Sequence, residues 1–316
     1  MANNDKIKRS IIENVAVISI MVLYIVYGIH VAPLLMIIIP LPFIVIGVRN
    51  GIENTIISMA ITSLIVGVLV EIYLGISLFL IFIPTSLGIA YCIKNRKKVS
   101  ETVLIGAGAF FISIALVVLL EARLEGLNFV KSLEQDLSQF LAMQIEMLKD
   151  MGLTNYELLQ TKDLLEMTYD YMIILIPSLL FVFSLIISYI NNIFSFIVLR
   201  RMGYGAVRYP SFSKFKLPNN IMPGIAVMFI STFIIGKLNI PYNEALLVNV
   251  TFLIGFIFFV QGLSVLDYLL KKVRIRLIFR IIILNVFLIP MSGIIFFIGV
   301  LDSILDMRKI RKQKSL

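Results

Sequence analysis

The sequence predicts an all-α, polytopic helical membrane protein, and three observations carry that prediction. Of the 316 residues, 59% are hydrophobic and 15% charged, with a mean hydropathy of +1.00. The apolar residues gather in continuous runs, several reaching the roughly 20 residues that cross a bilayer core. No ten-residue blocks alternate apolar and polar as the strands of a membrane barrel must. The loops between runs are short and nearly all basic, which is the charge bias of cytoplasmic loops. One segment departs from this pattern: Glu121 to Asp170 holds 10 of the 19 acidic residues and 4 of the 28 basic ones.

That segment divides the chain. The expected organisation is five spans over 1–120, acidic extracytoplasmic amphipathic helices over 121–170 and a sixth span over 171–199. A basic cytoplasmic loop follows over 200–220, then a C-terminal bundle over 221–307 and a basic tail over 308–316.

Taken in order, Lys6, Lys8 and Arg9 precede the run Ile11 to Ile29. This run is longer than a signal-peptide core and has no Ala-x-Ala exit, so it is expected to stay as span one with a cytoplasmic N-terminus. Val31 to Val48 returns, with Pro40 and Pro42 inside it removing backbone donors and bending the helix. Thr55 to Val70 and Ile76 to Ile93 form spans three and four around an outer turn at Glu71 to Gly75. Lys94-Asn95-Arg96-Lys97-Lys98 marks the cytoplasmic side again. Val103 to Leu120 is span five, where Gly106, Ala107, Gly108 and Ala109 allow a close helix approach.

Within the acidic stretch, Val130, Leu133, Leu137, Phe140, Leu141, Leu148 and Met151 recur at helical spacing and predict an amphipathic helix ending near Gly152. Thr154-Asn155-Tyr156-Glu157 is a capping box opening a second helix that feeds span six, Tyr171 to Leu199. These helices either rest on the outer leaflet or form a lid over an outward-facing pocket. Ile221 to Gly236 and Ala245 to Leu270 are spans seven and eight. The last run, Leu277 to Leu301, is broken by Pro290-Met291-Ser292-Gly293. A hairpin of two short helices there returns Arg308, Lys309, Arg311, Lys312 and Lys314 to the cytoplasm, whereas a single crossing does not.

Several function classes are disfavoured by what is present. The net charge of +9 sits at span ends and so belongs to topology rather than to nucleic acid. One cysteine, Cys92, and one histidine, His30, cannot build a zinc site or a disulfide framework. Cys92 reads as a small apolar filler. No phosphate loop, His-Glu-x-x-His or Ser/His/Asp arrangement is visible, so neither a catalytic activity nor a cofactor is expected. Asp302 and Asp306 share a helix face, but two carboxylates beside Arg308 and Lys309 are too few to cage a metal ion.

The functional candidates are polar groups in apolar surroundings, which cost energy unless paired or hydrated. Asn191, Asn192, Asn249, Gln261 and Asn285 lie within spans, where interhelical hydrogen bonding is the plain expectation. Glu13 and Glu71 lie near span ends. Asp267 and Lys271, four residues apart, are expected to pair. Arg200, Arg201, Arg208, Lys214 and Lys216, interleaved with aromatics, suit anionic headgroups or a protein partner. Glu71, Tyr73 and Asn128 are the polar groups placed to meet a small-molecule ligand on the outer side.

The C-terminal half carries a resemblance. Phe215-Lys216-Leu217-Pro218, Gln261-Gly262-Leu263-Ser264-Val265-Leu266-Asp267, Pro290, Gly299-Val300-Leu301-Asp302 and Asp306-Met307-Arg308 resemble the YybS-like bacterial membrane proteins over nearly the whole chain. The first six spans are similar to the substrate-capture subunits of energy-coupling-factor vitamin transporters and, more distantly, to the cell-shape protein MreD. This resemblance implies a bacterial plasma-membrane protein and a solute-binding or transport subunit without its own ATPase. Span one, however, carries only Ala16 and Ser19 where an Ala-x-x-x-Ala docking face is expected. The alternative is a non-transporting scaffold that recruits cytoplasmic proteins or anionic lipids.

Overall fold

The computed structural model describes residues 2–124, 129–152, 154–205, 210–218, 221–238, 243–288 and 290–308. These residues form helices and the turns between them, and no strand occurs among them. Among the described residues, seven helical segments are long and apolar enough to cross a membrane: Ser10–Val31, Pro33–Asn50, Ile52–Leu69, Ile72–Lys94, Val99–Arg123, Tyr156–Arg201 and Asn243–Lys272. Asn128, Arg208, the turn at 239–241 and the tail beyond Arg308 lie outside the described residues. The chain divides into two units. Unit 1 holds Met1–Leu165 and Leu180–Tyr209, and unit 2 holds Glu166–Leu179 and Pro210–Leu316.

In unit 1, α1 (Ala2–Leu23) continues through a π-turn over Tyr24–Gly28 into the single turn α2 (Ile29–Val31). The return span does not curve as one bent α-helix. Pro33–Ile38 forms a 3-10 segment, and Pro40 then starts α3 (Pro40–Asn50). Pro40 lacks an N–H, so the first helical turn, where that donor has no partner anyway, is where it costs least.

Helices α4 (Ile52–Leu69), α5 (Ile72–Lys94) and α6 (Val99–Leu124) complete the span pattern, with α5 touching α3, α4 and α6. Glycines set two of these approaches. A Cβ on Gly75 would meet the Ser63 carbonyl oxygen and the Gly67 backbone. One on Gly106 would meet Ser188 Oγ and Ile89, whereas Gly108 faces open space. The close approach expected from the small residues of α6 therefore rests on Gly106. The expected filler role of Cys92 matches its complete burial.

The amphipathic helix α7 (Phe129–Asp150) ends at Gly152, which takes a φ of 83° that an L side chain adopts only with strain. The next helix, α8 (Asn155–Arg201), is 47 residues long and is opened by the expected capping box. Glu157 N–H donates to Thr154 Oγ1, and Thr154 N–H donates to Glu157 Oε2 at 2.9 Å. At 1.5 Å per residue the helix is about 70 Å long, more than twice a hydrocarbon core. Its polar forepart and its apolar span are thus one continuous rod.

In unit 2, α8 residues 166–179 stand with α9 (Ile221–Lys237), α10 (Asn243–Lys272), α11 (Leu277–Leu288) and α12 (Ser292–Leu305). At 17 residues α9 is a short apolar helix, about 25 Å long. Between α11 and α12 the axis turns by 111°. The start of α11 and the end of α12 both meet the last three turns of α10: Arg280 bonds Asp267, and Asp302 bonds Gln261. Both helices thus reach the same stretch of α10, and the bent pair has the form of a broken span or a re-entrant loop. Its α12 arm lies against α10 at two glycines: a Cβ on Gly262 would overlap the Ile295 carbonyl oxygen, and one on Gly299 would overlap that of Phe258.

Candidate functional site

The residues that carried the C-terminal resemblance, Pro290 apart, converge at the basic end of α10. Arg308 is at their centre, with side-chain exposures of 1% for it and 0% for Asp302. Its Nη2 donates to Asp302 Oδ2 at 2.8 Å and to the Phe215 carbonyl at 2.8 Å. Its Nη1 donates to Ser264 Oγ at 2.7 Å and to the Ser213 carbonyl at 2.9 Å. A planar guanidinium has five donors in a fixed fork, and here they reach two elements and a loop at once.

Gln261 closes the other side of the carboxylate. Its Nε2 donates to Asp302 Oδ2 at 2.5 Å, while its Oε1 accepts from Leu217 N–H at 3.1 Å. Ser264 Oγ also contacts the Phe212 and Phe215 carbonyls at 2.8 and 3.0 Å. The Lys216 ammonium pairs with Asp306, which ends α12 in the left-handed conformation at φ 48°. The segment from Ser211 to Pro218 is therefore a strap, tied through four of its backbone groups and one side chain to α10 and α12.

Each tie satisfies a group that would otherwise be costly to bury. The Asp302 carboxylate and the Arg308 guanidinium compensate each other, and the strap carbonyls take the remaining guanidinium donors. Phe212 and Phe215 stack at 6.4 Å over the same strap. On the surface beside it, Lys214, Lys271, Lys272, Arg274 and Arg276 are exposed.

One expected pairing changes partner. Asp267 bonds Arg280 Nη1 at 2.7 Å rather than Lys271, which stays exposed. The i,i+4 spacing allowed the Lys271 pair, but α11 brings a guanidinium to the buried face of α10 that an outward lysine cannot match. Asp306 is taken by Lys216, and Asp302 by Arg308, so the two carboxylates of α12 face different cations.

The intramembrane amides divide by role. Asn249 bridges α8 next to Pro177: its Nδ2 donates to the Ile174 carbonyl at 2.8 Å, and its Oδ1 accepts from Ser178 N–H at 3.1 Å. Those two groups are i,i+4 partners within α8, so the amide bonds both ends of one rung of the ladder beside the proline. Asn191 donates to Ile37 O at 2.7 Å and to Ile187 O at 2.9 Å. Asn285 bonds only within α11, to Ile281 O, and is exposed. Asn192 is buried, and its Nδ2 has no partner.

The outer-side candidates are not gathered in this way. Glu71 and Tyr73 are exposed at the α4–α5 turn, with Tyr73 52% accessible. Glu13 forms an ion pair with Arg49 at 3.0 Å. Arg200 and Arg201 are exposed at the end of α8. In unit 2 an open, largely apolar cleft of about 500 Å³ is lined by Phe229, Thr232, Phe233, Gly236, Lys237, Asn243, Glu244 and Leu247, none of them singled out from the sequence. Pro218 and Pro290 are exposed, at the end of the strap and at the hairpin turn.

Sequence reasoning missed Arg280, a lone cation inside an apolar run, and the charge itself was the available signal. It also missed Ser213, which enters through its carbonyl, and backbone groups leave no mark in a sequence.

Comparison with known proteins fits this arrangement. The family model described as "Predicted membrane protein (DUF2232)" matches residues 16–303. The chain belongs to this family. The match takes in the strap, α10 and Asp302 and stops just short of Arg308. A relative, the uncharacterized protein YybS of Bacillus subtilis, is 25% identical over 269 residues, which is 84% of this chain and 85% of the relative. No solved structure matches the chain. The YybS-like resemblance read from the C-terminal residues is thus borne out, and the protein is an integral, multi-pass helical membrane protein.

Proposed function

We propose that this protein is a non-transporting membrane scaffold, and that the basic surface around the strap recruits an acidic protein partner in the bacterial cytoplasm. The observation that supports this reading is the tie from Arg308 to the strap. A buried guanidinium spent on backbone carbonyls fixes the shape of a loop, and nothing in membrane insertion requires that loop to have a shape. Attraction to anionic lipid is diffuse and needs no preformed loop, whereas docking a protein gains affinity when the surface is ordered beforehand.

In this reading both termini and the basic end of α10 are cytoplasmic, following the positive-inside bias. Lys214, Lys271, Lys272, Arg274 and Arg276 make the contact. The protein takes no cofactor and performs no reaction of its own.

The test is site-specific photo-crosslinking in cells, with a benzophenone side chain at Lys214 in the wild type and in Arg308→Met. The proposal expects a discrete protein adduct that weakens at least tenfold in Arg308→Met at equal membrane abundance. A probe that captures only lipid, or a protein adduct that is unchanged by Arg308→Met, contradicts it.

A further inference from the structure

Unit 2 carries a cleft that the scaffold reading does not use, at the end of α10 remote from Lys271 and Lys272. Its walls are Phe229, Thr232 and Phe233 of α9 and Leu247 of α10, and its volume of about 500 Å³ is that of a small-molecule site. Phe229, Phe233 and Leu247 are exposed along it. Thr232 is buried, and its hydroxyl is committed to the Met228 carbonyl at 2.8 Å. The walls are therefore apolar, and the polar character gathers at one end.

That end holds one charge of each sign. Lys237 closes α9 and Glu244 opens α10, and both are exposed and line the cleft. The helix dipoles favour these signs at these termini. Yet the two side chains form no ion pair with each other among the described residues, and the Lys237 ammonium stands 5.1 Å from the centroid of the Phe233 ring, over the apolar wall.

The depth of these charges matches a lipid headgroup. As a crossing, the 17 residues of α9 give about 25 Å of helix, a few ångströms less than a hydrocarbon core of about 30 Å. Lys237 thus lies where the core meets the headgroups, and Val227, Ile230 and Ile234 add exposed apolar surface along the same helix. An occupant needs an apolar part and, at one end, an anion for Lys237 and a cation for Glu244. A phospholipid whose phosphate carries a primary amine has all three. Its ammonium donates hydrogen bonds to a carboxylate, as a quaternary ammonium cannot. An acidic headgroup without an amine would set a like charge against Glu244.

We propose that the α9–α10 cleft binds one phospholipid with an amine-bearing zwitterionic headgroup, its chain against Phe229, Phe233 and Leu247, its phosphate on Lys237 and its ammonium on Glu244. Native mass spectrometry of the full chain, released from nanodiscs with equal amounts of phosphatidylethanolamine, phosphatidylcholine and phosphatidylglycerol, tests this. The wild type retains phosphatidylethanolamine about tenfold over each of the others, the scale of one charge-assisted hydrogen bond. Lys237→Met loses that adduct, and in Glu244→Gln the preference over phosphatidylglycerol disappears. Both changes fall on exposed side chains, so Tm stays within about 2 °C of wild type, and a lost adduct reports binding rather than unfolding. Equal retention of the three lipids overturns the proposal, and so do retention ratios unchanged in either variant.

Discussion

Replacing Arg308 by Met removes the centre of the unit 2 knot and takes a hydrogen-bond partner from three kinds of buried group. These are the Asp302 carboxylate, the Ser213 and Phe215 carbonyls, and Ser264 Oγ. With the pair 1% and 0% exposed, breaking it from one side costs about 3–5 kcal/mol. Asp302→Asn should cost less than Arg308→Met, because the guanidinium keeps its three neutral acceptors and Gln261 can still bond the amide. In Asp302→Leu/Arg308→Met the carboxylate is gone as well, and the Ser213 carbonyl and Gln261 Nε2 are left without these partners, at about 1 kcal/mol each. The double variant should therefore be more stable than Arg308→Met alone, and the coupling between the two sites should be about 2 kcal/mol or more. Thermal and denaturant unfolding of the purified protein in detergent, followed by far-ultraviolet circular dichroism, reads these differences. At about 2–4 °C per kcal/mol, the Arg308→Met shift is far outside error. Additive effects, or an Arg308→Met loss under 0.5 kcal/mol, would refute the assignment of Arg308 as the group that holds the strap.

Gly262→Val and Gly299→Val should each push α12 off α10, at a cost of about 1–3 kcal/mol or more, read as lowered Tm together with faster amide exchange across Ser292–Leu305. Asn249→Leu should remove the side-chain bonds that hold Ser178 and the Ile174 carbonyl to α10 beside Pro177, costing about 1–3 kcal/mol, with amide exchange rising at Ser178 before the rest of α8. Thr154→Ala should cost about 1 kcal/mol, seen as exchange confined to the first turns of α8. For topology, a cysteine at Ser315 should be closed to an impermeant thiol reagent on intact cells, and one at Asn155 should react. Labelling at Ser315 would contradict the hairpin.

The fold was legible where composition and charge decide it. The apolar runs and their basic ends foretold the spans, Thr154 and Glu157 foretold the start of α8, and Pro290 with Gly293 foretold the break before α12. The interior was less legible, because pairing depends on which helix arrives. Asp267 has Lys271 on its own helix, yet Arg280 reaches it from α11. Pro40 reads as a kink in a span but instead starts α3 after a 3-10 segment. The knot was half visible: Gln261, Ser264, Asp302 and Arg308 stood out as motif residues, but their common target, the strap carbonyls, has no side-chain signature.

The most direct test of the scaffold reading is complementation of a strain that shows a phenotype when the gene is deleted, using two sets of variants at matched membrane levels. One set changes Lys214, Lys271, Lys272, Arg274 and Arg276 to Gln. The other changes Glu71 to Gln and Tyr73 to Phe. The scaffold reading predicts that the first set loses function with insertion intact and that the second complements as wild type does. Loss of function in the second set alone would contradict it and return the protein to the solute-binding class.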